Sequence, residues 1–465
     1  MLHWWPVLFR ICLGLSAFSL SLPAATNVVL IRHVNVVDTA EGRVLPDRFV
    51  LIAGNQIERV ETTPLRAPRG AVVIEGARKY LMPGLWDMHV HLWYRENLFP
   101  LYLAAGITGV RDMGSDPART KTWQHEVDQG KLLGPHVITP GRPFDGVPSD
   151  DPKLPVLAPR SPEEAREMYD RVDKEGVDFI KVLTRLHADC YYALIDRGRK
   201  WGLPVAGHVP DEVSVWDAIE ARQKSMEHLM GVALACSRDE DRLRRLLLES
   251  ERENSPEKRR EYSKDVLDTY DPARAEKLFE RMAAFGSWQT PTLVMWSRTY
   301  NLDAADRLAN PELKSIPREV RADWPALSTD PPAPATAAVI QRVWDRYMQM
   351  VARMRVNGVP LLAGTDTGDP WSYPGAELHQ ELELLVKAGL TPAEALRTAT
   401  LNPAKFLDAA DSFGNVHAGL LADLVLLDAD PLADIRNARR VQAVFTGGAY
   451  LPKKNLDSLV AGLPR

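Results

Sequence analysis

The chain has 465 residues, of which 45% are hydrophobic and 26% charged, and its formal net charge is −5. This balance excludes a basic nucleic-acid surface and a disordered or low-complexity chain. The length fits a barrel with a small additional domain.

In chain order, residues 1–25 come first: "MLHWWPVLFRICLGLSAFSLSLPAA" has one arginine, Arg10, an apolar run, and small residues at Ala24 and Ala25. They read as a secretory signal peptide cleaved near Ala25, which makes the mature chain secreted or periplasmic; an uncleaved N-terminal anchor is the alternative. No later stretch approaches the roughly 20 apolar residues of a membrane span, so none is expected once the leader is removed. Cys12 leaves with the leader, and Cys190 and Cys236 remain as one disulfide or two buried thiols.

Residues 26–82 contain the β-branched runs "NVVLIRHVNVV", "RFVLIAGNQIERV" and "AVVIEGA", separated by turn signals. Residues 412–465 contain "ADLVLLDAD" and "RVQAVFTGGAYL", of the same character. The two ends predict one small β-sandwich built from both termini. Between them, residues 83–411 alternate short apolar strands with helical segments, the pattern of a parallel α/β fold. Strands are predicted at 84–92, 106–114, 136–141, 177–183, 203–210, 224–231, 288–295 and 359–366, which implies a (β/α)8 TIM barrel. Residues 237–282 and 300–345 interrupt this rhythm and read as solvated surface helices, with a lid over the barrel mouth as the alternative.

The first barrel strand, "GLWDMHVHL", carries His89 and His91. Strand alternation points both to one face, together with Asp87. Two neutral imidazoles on one face can share a metal ion, but an isolated H-x-H is weak evidence. Lys181 lies in the apolar "DFIKVL", where an unpaired ammonium is costly and needs a partner or a chemical change. His208 ends "AGHVP", His228 ends "MEHLM" and Asp366 ends "LAGTD". Barrel sites form at the C-terminal ends of strands, so these six residues are expected to converge on a metal site. Trp93, Tyr94 and Arg95 follow the first strand, Arg142 the third and Arg185 the fourth. An arginine there can hold a substrate carboxylate in bidentate fashion, and the aromatics suit an apolar moiety. Arg111 is expected in a buried ion pair with Asp112 or another carboxylate. His33, His125, His136, His187, His379 and His417 read as structural or surface residues.

The stretches "YLMPGLWDMHVHL", "VDFIKV", "AGHVP", "SMEHL", "GTDTG", "ATLNPAKFL" and "AGLLADLVLLDADPLADI" together resemble the amidohydrolase superfamily, in its imidazolonepropionase-like and prolidase-like branch. The resemblance implies two divalent metal ions, with Zn2+ the best match to these donors. His89, His91 and Asp366 would hold one ion and His208 and His228 the other, with Lys181, carbamylated by carbon dioxide, bridging them. It also implies hydrolysis of an amide-like C–N bond (a dipeptide, N-acyl amino acid or related amide) by a hydroxide between the metals, with Asp366 moving the proton. A mononuclear deaminase or imidazolonepropionase-type cyclic amide hydrolase is the alternative. Such enzymes lack the lysine ligand, and deaminases carry a glutamate where this chain has Asp211. A non-catalytic relative would be expected to have lost ligands. The expected partner is a small-molecule amide or dipeptide, not a nucleic acid; a homo-oligomer stays open.

Overall fold

The computed structural model describes residues 28–94, 97–149, 154–322, 324–330 and 332–463; the predicted leader, residues 1–25, and Arg95 lie outside the described residues. The N-terminal end forms β1 (Val28–Asp38), β2 (Arg43–Ala53), β3 (Gln56–Glu61), β4 (Val72–Glu75) and β5 (Tyr80–Pro83). The middle forms β6 (Leu85–Val90), β7 (Ile107–Asp112), β8 (His136–Ile138), β9 (Ile180–Val182), β10 (Val205–Gly207), β11 (Ser225–Glu227) and β12 (Trp288–Thr290). The C-terminal end adds β13 (Leu424–Leu427), β14 (Val441–Thr446) and β15 (Ala449–Pro452).

Both ends meet in one eight-stranded mixed sheet of order β15-β14-β13-β5-β1-β2-β3, with β4 beside β1. β13 lies between β5 and β14 and is antiparallel to both. Its apolar cluster draws Val34, Val36 and Val50 from one end of the chain and Leu424, Leu426 and Phe445 from the other.

The middle strands form two parallel sheets, β6-β7-β8 and β12-β11-β10-β9. Every residue of β6 and β7 is buried, as expected for parallel strands covered on both faces. Backbone hydrogen bonds link the two sheets at both edges. On one side Phe144 N donates to Lys181 O at 2.8 Å and Leu183 N to Phe144 O at 2.8 Å. On the other, Leu362 N donates to Gln289 O at 2.9 Å, Met88 N to Ala363 O at 2.9 Å and His91 N to Thr367 O at 2.7 Å. The segment predicted as the eighth strand, 359–366, is therefore an irregular extended connector hydrogen-bonded to both β12 and β6, with a single bridge, Gln289–Leu361, rather than a continuous ladder.

The other predicted barrel strands occur at their places but are shorter. The largest departure is 288–295, where β12 ends at Thr290, Thr292 takes a left-handed φ of 47° and Leu293–Thr299 is helical. Gly84 joins β5 to β6; a Cβ there would come within 2.0 Å of Thr108 Oγ1 on β7, so the junction needs a glycine.

Residues 237–282 and 300–345 are largely helical. Helix Glu240–Arg252 packs over the segment after His208, where Arg244 Nη1 donates to Asp211 O and Val213 O, both at 2.8 Å. In the second insertion Trp324 Nε1 donates to the Tyr94 hydroxyl oxygen at 3.2 Å. Cys190 and Cys236 are free, buried thiols. Among the described residues no helix is long and apolar enough to cross a membrane.

Candidate metal centre

The six predicted residues occupy corresponding positions on neighbouring elements. His89 lies in β6 and His91 just beyond it, Lys181 lies in β9, His208 follows β10, His228 follows β11, and Asp366 closes the 359–366 connector. Asp366 Oδ1 is 3.3 Å from Nε2 of both His89 and His91. These three residues offer ligand atoms all within 4.8 Å of one another. The His228 ring lies 4.4 Å from the His89 ring and 5.1 Å from the His208 ring, between centroids.

Each imidazole is oriented through Nδ1. His89 Nδ1 donates to Glu227 Oε2 at 3.0 Å, and His91 Nδ1 to Gly114 O at 2.9 Å. His208 Nδ1 is hydrogen-bonded to Thr184 Oγ1 at 2.6 Å, and His228 Nδ1 to Thr292 Oγ1 at 2.7 Å. This pattern fixes ring orientation and leaves Nε2 as the atom that could bind a metal. Burial holds His208 and His228 well below the ordinary imidazole range, in the neutral form that binds metals. Burial also acts on Asp366, but the imidazoles of His228, His89 and His91 outweigh it and keep the carboxylate ionised.

Two buried atoms here have no hydrogen-bond partner: His89 Nε2 and Lys181 Nζ. Orphaned polar atoms in a site of this kind need an explanation, and a bound cation supplies one for the imidazole. Burial lowers the Lys181 amine to about 8.

Glu227 and Arg111 lie at the centre of the site's support. Arg111, fully buried, donates to Glu227 Oε1 at 3.0 Å and Oε2 at 3.1 Å, to Ser225 Oγ at 2.9 Å and to Met88 O at 2.6 Å. Glu227 thereby remains ionised against burial, well below the usual carboxylate range, and its other contact orients His89. The partner of Arg111 is thus Glu227; Asp112 accepts from Ser115 and Thr139 instead. In the sequence Glu227 is one polar residue beside His228 and carries no motif of its own. Only its pairing with a strand more than a hundred residues earlier reveals it.

The Asp87 carboxylate accepts from Thr365 N at 3.1 Å, Thr365 Oγ1 at 2.7 Å and His89 N at 3.3 Å, and so braces the connector against β6. The β6–β7 register shifts between Asp87 and Val90, which breaks the simple alternation. The backbone is unusual elsewhere in the site as well. His228 and Asp366 both take left-handed φ values, 64° and 57°, which persist only where the surroundings over-determine them. Gly207, before His208, has a φ of 127°, and a Cβ there would lie 2.2 Å from Val182 O.

The expected substrate residues divide. Trp93 stacks on His91 at 4.3 Å and donates from Nε1 to Gly114 O at 2.8 Å. Tyr94 meets the second insertion through Trp324. Arg185 stands half-exposed beside the end of β9 and is already paired, through Nη2, with Asp145 Oδ2 at 2.7 Å. Arg142 sits at a bend after β8, next to Gly141 with its left-handed φ of 64°, and its guanidinium pairs with Glu175 at 2.8 Å. Of the six histidines read as structural, His136 is bonded to Asp423 at 3.0 Å and His379 to Ala105 O at 2.9 Å.

Residues 340–450 match the amidohydrolase family. Among curated proteins, the chain is 32% identical over 116 residues to an ochratoxinase of Aspergillus niger, covering 24% of this chain and 23% of that protein. It is 36% identical over 92 residues to an imidazolonepropionase of Aromatoleum aromaticum, covering 20% and 22%. The matched segments thus span less than a quarter of either relative. Among solved structures, bottromycin amidohydrolase aligns with a TM-score of 0.73 at 25% identity, over 94% of this chain and 91% of that one. A Xaa-Pro dipeptidase aligns with a TM-score of 0.66 at 20% identity, over 92% and 100%.

Proposed function

From the premise that the chain carries an amidohydrolase-family domain, we propose that it is a metal-dependent hydrolase of an amide-like C–N bond in a small molecule. The observation that carries this reading is the set of four imidazoles each fixed through Nδ1, gathered with a buried carboxylate and a partnerless buried lysine. The proposed architecture is a closed (β/α)8 barrel of residues 83–411, supported by hydrogen bonds at both sheet edges. Residues 26–82 and 412–465 are read as its β-sandwich, the terminal sheet curled around its own apolar cluster.

His89, His91 and Asp366 would hold one divalent ion and His208 and His228 a second, with zinc suited to the donors. Such ions supply Lewis acidity toward a carbonyl and acidify a water near neutral pH. Lys181, as a carbamate, would be a further ligand. The modification joins the amine nitrogen to the carbon of CO2 and releases one proton, replacing a costly buried cation with an anionic donor. An amine titrating near 8 has the neutral fraction this needs. Asp366 is the group to accept the proton of the attacking water and return it to the leaving amine. Trp93 and Tyr94 would flank the substrate, with Arg185 near its polar end. Export through a cleaved leader is proposed from the composition of residues 1–25; N-terminal sequencing of the exported protein tests it.

The functional test is a screen of the mature protein over dipeptides and N-acyl amino acids, with zinc and bicarbonate. Hydrolysis lost on chelation, restored by zinc, and abolished in His89→Ala and Lys181→Ala is expected. Full activity in either variant would refute the assignment. One zinc per chain instead of two would favour the mononuclear alternative.

A further inference from the structure

Asp366 reaches His89 and His91 from a left-handed backbone, with a φ of 57°. The same loop has a second non-glycine residue in that region, Trp371, at 63°. The main-chain carbonyls of both accept from arginines of the segment after β12. Arg298 Nη2 donates to Asp366 O at 2.9 Å, and Arg307 Nη1 to Trp371 O at 2.8 Å. Both arginines are anchored on Glu377, which is fully buried in the first turn of helix Ala376–Lys387. Arg298 Nη1 lies 2.8 Å from Glu377 Oε2, and Arg307 Nη1 lies 2.5 Å from Glu377 Oε1. The Arg298 and Arg307 side chains are 8% and 3% exposed.

We propose that Arg298 is a positioning residue for the hydrolysis: it holds the Asp366 carbonyl, and through it the left-handed turn that directs the carboxylate to the metal-binding imidazoles. The inference rests on the metal-hydrolase reading above. A strained backbone needs surroundings that leave it no alternative, and a guanidinium held by a buried carboxylate is a rigid donor. Arg298 holds the Asp366 main chain rather than its carboxylate, and its further contact in this loop, Asp369 Oδ2 at 3.8 Å, is longer. Arg307 shares the anchor but grips Trp371, five residues further on, and so separates loss of the network from loss of the Asp366 contact.

The test compares Arg298→Met, Arg298→Lys and Arg307→Met in the full chain, by zinc titration of the metal-stripped protein, by kcat and KM on a substrate the wild type cleaves, and by urea unfolding. Arg298→Met is expected to weaken zinc binding by about 10–100-fold, the usual effect of removing a residue that orients a ligand. It should lower kcat by about 100-fold, as a misplacement near 1 Å does, with KM within about threefold. Arg298→Lys, which keeps the charge on Glu377, is expected to fall between wild type and Met. Arg307→Met should lose stability without matching these losses. Zinc affinity and kcat in Arg298→Met within twofold of wild type would overturn the proposal, as would equal losses in the two Met variants. If Arg298→Met does not fold, Arg298→Lys decides on the same criteria. A wild type that takes up no zinc overturns the metal reading and this inference together, whereas one that binds zinc and hydrolyses while Arg298 proves silent overturns this inference alone.

Discussion

The candidate residues were legible one by one because each is a chemically unusual side chain at a strand end, where apolar residues are the rule. Their supports were not, since Glu227, Arg111 and Arg298 find their partners on elements remote in sequence. Removing one member of a buried ion pair leaves the other charge uncompensated, typically at about 3–5 kcal/mol. Arg111→Met should therefore destabilise the protein by roughly that amount in urea unfolding, and a loss under 1 kcal/mol would mean that Glu227 is held otherwise. Lys181 allows a pH test on the metal-free, unmodified chain. Its folded-state amine is lowered to about 8 from an ordinary 10.5. Below pH 8 both states are protonated and folding bears the full cost of burying the cation. Between 8 and 10.5 the unfolded chain binds more protons, so stability rises with pH, by roughly 3 kcal/mol if the whole shift is realised. Lys181→Met should lack this rise, and parallel stability curves for the two proteins would contradict it.

At the scale of elements, strand existence and order were readable from the apolar runs, but their ends and pleat were not. The β6 ladder shifts between Asp87 and Val90, the segment after β8 bends at Gly141 before bridging again at Phe144, and the 359–366 connector replaces a strand. Each depends on hydrogen bonds to a neighbouring strand, which a local pattern cannot specify. These departures bear on Asp87 and Arg142, whose surroundings depend on the register shift and on the bend after β8. β8 also contacts the terminal sheet through His136, whose Nε2 lies 3.0 Å from Asp423 Oδ2. Burial works against its charge, yet Asp423 and Asp128 lift it to about 10. The contribution is complete below the ordinary pKa near 6.5 and is lost as pH rises through about 10. The ring is 32% exposed, which screens the pair, so His136→Gln should cost only about 1 kcal/mol at pH 6. That difference should shrink above pH 10; a pH-independent cost would assign it to packing alone.

At the scale of the molecule, the two ends could be matched by composition, but their interleaving could not. β13 sits between β5 and β14, so the C-terminal segment is an interior part of the N-terminal sheet. A chain ending at residue 411 would expose the edge of β5 and part of its apolar cluster, and is expected to lose cooperative unfolding and to aggregate; a soluble, cooperatively folding truncation would show that the units are independent. The organisation also brings the proposed ligands on and beside β6, β9, β10, β11 and the 359–366 connector together, so metal content reports on the whole arrangement. The most direct measurement is zinc per chain by mass spectrometry, for wild type and for His89→Ala and His228→Ala loaded in zinc and bicarbonate. Two ions in the wild type, with at least one lost in each variant, is the predicted result. No zinc above background, or a content unchanged in both variants, would contradict the account.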